Sequence, residues 1–72
     1  MIPDGPLHVE HLTERERQMA QAVSRGLRNR QIAREFDISE ETVKKHLATI
    51  YSKLDLSGRV ELAIQVLQGG VQ

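Results

Sequence analysis

The stretch "RQIAREFDISEETVKKHLATIYSKL", residues 30–54, restricts the fold more than any other part of this 72-residue chain. Two apolar patterns at helical spacing stand on either side of a three-residue break, "DIS". On the first, Ile32, Ala33 and Phe36 make one face. On the second, Val43, Leu47, Ile50 and Leu54 fall within one narrow stripe at about 100° per residue. Asp37 tolerates the left-handed backbone conformation that ends a helix, and Ser39 is a favourable N-cap for the next one. So short a connection makes the two helices cross closely, which calls for a small side chain at the contact. Ala33 supplies it, and Ile38 with Val43 plugs the junction. These are the proportions of a helix-turn-helix. Such a pair cannot bury its own apolar faces, so other elements must complete the core.

The flanking sequence provides them. "TERE" places Thr13 as an N-cap with Glu16 three residues on, a capping box. Met19, Ala20, Ala22 and Val23 follow as the apolar stripe, and Gly26 is the natural stop. The first helix is expected at about 14–25. Asn29 can cap a second at about 29–36, and the third runs from about 40 to 54. After "DLSG", Ser57 can cap a fourth at about 58–68, ended by Gly69 and Gly70. On that helix Val60, Ile64 and Leu67 point one way and are expected on the core. Leu62 and Val66 lie roughly 150° away as a second apolar stripe. No strand alternation competes, so the fold class is all-α with four short helices. Residues 1–11, "MIPDGPLHVEH", have the composition of a flexible leader or interdomain linker. The folded domain is expected over 12–68, with 69–72 as a tail.

Several function classes fall away. The chain has no cysteine, which excludes disulfides and thiolate-bound zinc and suits a reducing cytoplasm. His8, His11 and His46 make no metal-ligand spacing with nearby carboxylates, so no metal is expected. There is no Gly-rich phosphate loop and no nucleophile–base arrangement, so neither an enzyme nor a cofactor is expected. No apolar run approaches membrane-spanning length, and the first residues lack the order of a signal peptide.

Charge is more informative in its distribution than in its total. Ten basic and ten acidic side chains cancel. Yet Arg25, Arg28, Arg30 and Arg34 occur with no acid between them, and beyond an acidic stretch Lys44, Lys45, Lys53 and Arg59 outweigh Asp55. Patches matter more than totals for binding a polyanion. The third helix turns Glu41, Lys45, Ala48 and Ser52 away from its apolar stripe, with Lys44 and Thr49 on the flanks. A major groove accepts a helix of that width. The residues alone leave two readings: a duplex-DNA binder, or a small helical module using the same charges for a protein partner. His46 and Tyr51, beside the apolar stripe, are expected to pack, with His46 bonded to backbone.

Residues 12–66 resemble the LuxR/FixJ/NarL-type helix-turn-helix family, also called the GerE-like domain. The resemblance rests on Leu12-Thr13 with Arg15-Glu16, Gly26, Asn29, Ile32-Ala33, Ile38-Ser39, Thr42-Val43-Lys44, His46, Ile50, Lys53-Leu54, Arg59 and Ala63, in order and without gaps. It implies a bacterial transcriptional regulator in the cytoplasm, commonly a dimer on double-stranded DNA. Its third helix would lie in the major groove and its fourth in the dimer contact. Carried onto this chain, Thr42, Val43, Lys44, Thr49 and Lys53 would lie at or near DNA. Lys45 would be a candidate base reader, and Arg28, Asn29 and Arg30 would present the second helix's N-terminus to phosphate. Arg59, Leu62, Ala63 and Val66 would form the dimer contact. The family domain commonly follows a receiver or sensor domain. The chain departs from the family pattern at Arg28, often Ser or Thr; at Gln31, often Glu; at Thr49, often Asn; and at Ala20 and Ala22, often larger.

Overall fold

A computed structural model describes residues 12–69. The proposed leader and the last three residues of the tail lie outside the described part, as do His8 and His11. Four helices follow one another: α1 (Glu14–Ser24), α2 (Asn29–Phe36), α3 (Glu40–Leu54) and α4 (Arg59–Leu67). No strand occurs among the described residues. α1 packs most extensively on α4 and α2 on α3, so the first and last helices close over the helix-turn-helix pair.

The start of α1 has both halves of the expected capping box. Thr13 Oγ1 accepts the Glu16 N–H at 3.0 Å, and Glu16 Oε1 accepts the Thr13 N–H at 2.9 Å. Ser39 caps α3 in the same manner, accepting the Thr42 N–H at 3.0 Å. The other two starts differ from expectation. Asn29 is the first residue of α2 rather than its cap; the Gln31 side chain reaches back to accept the Arg28 N–H at 2.8 Å. Likewise Ser57 lends no hydroxyl to α4, whose N-cap is Gly58. Glu61 Oε1 instead accepts the Ser57 N–H at 2.7 Å.

Three of the helix ends share one device. Gly26, Asp37 and Asp55 have φ of 86°, 58° and 59°, the left-handed region. The residues after them, Leu27, Ile38 and Leu56, donate their N–H groups back to Ala22, Ala33 and Tyr51 carbonyls. Each of those apolar residues then packs against the core. This 6→1 bond satisfies an orphan carbonyl and turns the chain sharply inward. Glycine adopts the conformation at no steric cost at position 26, and aspartate is among the few other residues that tolerate it.

The core contains Leu12, Met19, Ala20, Ala22, Val23, Ile32, Ala33, Val43, Leu47, Ile50, Leu54 and Leu62. The α3 stripe is buried as its spacing predicts, and the helix-turn-helix junction is made by Ala33, Ile38 and Val43. The fourth helix is rotated from its expected setting. Leu62 is fully buried and Ala63 and Val66 pack beside the core, whereas Val60, Ile64 and Leu67 are 71%, 48% and 75% exposed. Both stripes of this nine-residue helix are apolar; packing against α1 decides which one is buried.

Candidate nucleic-acid interface

α3 presents an exposed face made of Glu41, Lys44, Lys45, Ala48, Thr49 and Ser52. The face is outward because Val43, Leu47, Ile50 and Leu54 hold the opposite side in the core. Lys44 and Lys45 form no ion pair among the described residues. Thr49 Oγ1 donates to the Lys45 carbonyl at 3.1 Å, so its hydroxyl proton is already engaged and its methyl group and lone pairs remain for a partner.

The first turn of α3 adjoins the N-terminal half of α2. Arg28, Asn29, Arg30, Gln31, Arg34 and Glu40 line one open cleft. Arg30 Nε stands 3.9 Å from Glu40 Oε2, a long and exposed pair. Arg28 and Arg34 pair with no carboxylate among the described residues. The N-terminus of α2 carries no acid in its first turn. Its uncapped N–H groups and the surrounding guanidinium groups therefore add to one positive field. Arg34 belongs to this surface although the family motif does not point to it; its place in the acid-free run 25–34 was the available signal.

Three residues expected at DNA are engaged within the domain. Val43 is fully buried in the core, so it supports α3 from behind. Lys53 turns its ammonium to Glu16 Oε1 at 2.8 Å, the same oxygen that accepts the Thr13 N–H. Asn29 stays at the surface, but its Oδ1 accepts from Arg59 Nη1 at 2.9 Å. Arg59, expected at the dimer contact, is half-buried, and its second nitrogen donates to the Leu27 carbonyl at 2.9 Å. Leu62, expected at the dimer contact, is fully buried, and Ala63 and Val66 are partly covered by the core. The pairing of Glu41 with Lys45 along α3, natural at this spacing, is not formed. His46 is half-buried as expected but makes no hydrogen bond to backbone among the described residues. Tyr51 packs against the core, and burial, opposed by the nearby Arg59 charge, pushes its phenol up from the ordinary value.

No His, Asp or Glu cluster among the described residues has the makings of a metal site. No helix there is long and apolar enough to cross a membrane.

A four-helix domain with a close-crossed α2–α3 pair, an exposed lysine-bearing α3 and a positive α2 N-terminus defines the helix-turn-helix class of DNA-binding domains. Within that class the chain belongs to the luxR family of bacterial regulatory proteins, whose family pattern matches residues 10–66. It is 45% identical over 60 residues to the nitrate/nitrite response regulator protein NarL of Escherichia coli K12, covering 83% of this chain and 28% of that protein. It is 41% identical over 58 residues to the transcriptional regulatory protein UhpA of the same strain, covering 81% and 30%. The chain thus spans less than a third of the length of these relatives. The solved structure of the transcription factor GerE superposes with a TM-score of 0.73 at 34% identity, covering 85% of this chain and 92% of that one.

Proposed function

We propose that this chain is the DNA-reading output domain of a response regulator, with α3 in the major groove and the N-terminus of α2 on the sugar-phosphate backbone. The observation that carries the reading is that Arg28, Arg30 and Arg34 line a cleft reaching the first turn of α3 at Glu40, while Lys44 and Lys45 stand on the exposed face of that same helix. Arginine and lysine at phosphates supply salt-dependent affinity. Glu41, Lys45, Ala48 and Thr49 are the side chains placed to meet base edges, where they would discriminate sequence.

The similarity to NarL and UhpA supports a place at the end of a longer regulator, behind a receiver domain, acting in the cytoplasm. α4 is the dimer helix in this reading, but through Val60, Ile64 and Leu67, which are the apolar side chains it exposes. A two-fold contact there would set two α3 helices about one DNA turn apart, matching a pseudo-palindromic site.

The test is duplex binding by the whole chain over a range of salt concentrations, with a duplex recovered by selection from a random pool. Lys44→Glu with Lys45→Glu is expected to lower affinity by about 100-fold and to flatten the salt dependence by at least the one phosphate contact assigned to Lys44. Unchanged duplex binding in that variant would favour the protein-interaction module instead.

A further inference from the structure

Arg59 is out of place as a helix residue. It occupies the first turn of α4, where the positive end of the helix dipole disfavours a cation, and it pairs with no carboxylate among the described residues. What it does instead is span from α4 to the start of α2. Nη1 donates to Asn29 Oδ1 and Nη2 to the Leu27 carbonyl, each at 2.9 Å, across about thirty residues of sequence. Both contacts lie on the segment that delivers α2 to its first helical turn.

The chemistry of this contact fixes an orientation. A guanidinium has donors only, so the atom of the Asn29 amide that faces it must be the oxygen. The Asn29 NH2 group is then turned the other way. It has no hydrogen-bond partner among the described residues and is not a buried unsatisfied group, so it is not sealed from solvent. It lies on the same cleft as Arg28, Arg30 and Arg34, beside the uncapped N–H groups of α2.

We propose that Arg59 is a positioning residue for DNA binding: its fork holds Asn29 so that the amide NH2 joins the α2 backbone N–H groups as a preset phosphate donor, with Arg59 itself touching no DNA. The inference rests on the proposed placement of the α2 N-terminus on phosphate. It also joins two parts of that reading, because Arg59 precedes Val60 on the same turn. Packing of a second chain against Val60 and Ile64 would brace the helix that holds the phosphate donor. Lysine at 59 would keep the charge but lose the two-pronged geometry.

The test uses the full chain and a duplex obtained by selection. Arg59→Gln, Arg59→Lys, Asn29→Ala and the Arg59→Gln/Asn29→Ala double variant are compared with the unaltered chain, each checked for helicity. Each single variant is expected to bind about tenfold more weakly, with the salt dependence reduced by roughly one phosphate contact. Asn29→Ala should add nothing to Arg59→Gln, since the donor is already lost. In heteronuclear NMR the Asn29 side-chain amide signals should move on DNA addition, and that movement should vanish in Arg59→Gln. Full affinity in Arg59→Lys would mean that charge alone matters, and full additivity of the two losses would mean that the residues act separately. Either result overturns the proposal. If Arg59→Gln fails to fold, Asn29→Ala and the amide signals still decide: unchanged affinity and an unmoved amide overturn it. Absence of salt-dependent binding by the unaltered chain would instead overturn the underlying DNA reading, before any variant is compared.

Discussion

Glu16 brings three bonds to one carboxylate and its backbone. Its N–H is capped by Thr13, its Oε1 accepts the Thr13 N–H, and the same oxygen receives the Lys53 ammonium from the last turn of α3. Burial opposes the charge of this side chain, but the Lys53 pair and the Thr13 bonds together outweigh it and leave the carboxyl below the ordinary 4.5. A carboxylate depressed in the folded state contributes stability that is complete above its unfolded value and is lost as pH falls through the folded one. Glu16→Gln is therefore expected to cost about 1–3 kcal/mol at neutral pH and to make the stability flatter below roughly pH 4.5, as read by urea denaturation at a series of pH values. The capping half of this arrangement was legible in "TERE", because a cap is a local spacing rule. The Lys53 half was not, since the two partners are far apart in sequence and only the packing of α1 across α3 brings them together.

The elements divide in the same way. α3 was legible because a fifteen-residue helix with one stripe of four large apolar residues has one sensible orientation. α4 was not, because it offers Leu62 with Val66 on one side and Val60, Ile64 and Leu67 on another. Periodicity counts both stripes and cannot choose between them. A clean separation follows. Leu62→Ala should lower stability by about 2–5 kcal/mol in chemical denaturation, as expected for a fully buried leucine. Val60→Glu with Ile64→Glu should leave helicity nearly intact and weaken binding to a two-half-site duplex more than to a single half-site. Equal loss on both duplexes would remove α4 from the dimer contact. The repeated helix end, a left-handed residue followed by a tucked-in apolar one, was half legible. "GL", "DI" and "DL" are visible in the sequence, yet only the first and second were recognisable as stops, because Asp55 precedes a loop with serine and glycine that offer a turn of their own.

For the molecule as a whole, the neutral total conceals a division of labour among its charges. Glu14, Glu16 and Glu35 are held by Arg17, Lys53 and Arg25, whereas Lys44, Lys45, Arg28 and Arg34 are left without acidic partners among the described residues. Three of the twelve buried apolar residues are alanines, so the core is thin as well as small. A domain of this size gains only modest stability from burial, and a ligand bound to the native state alone adds visibly to it. At about a hundredfold excess over the dissociation constant, duplex DNA should raise the melting temperature by roughly 10–20 °C, and added salt should abolish the rise. Calorimetry with and without duplex checks this; a rise that persists in high salt would contradict the electrostatic account.

The closure of α1 onto α4 also has a consequence for how the protein is made. A ribosome releases α1, α2 and α3 in that order while Leu62, which completes their shared core, is still unsynthesised or inside the exit tunnel. At the usual pace of translation the unfinished helix-turn-helix waits on the order of seconds with its apolar faces uncovered. Folding of the domain is then deferred to α4, and the core residues of α1, α2 and α3 depend on that short segment for cover.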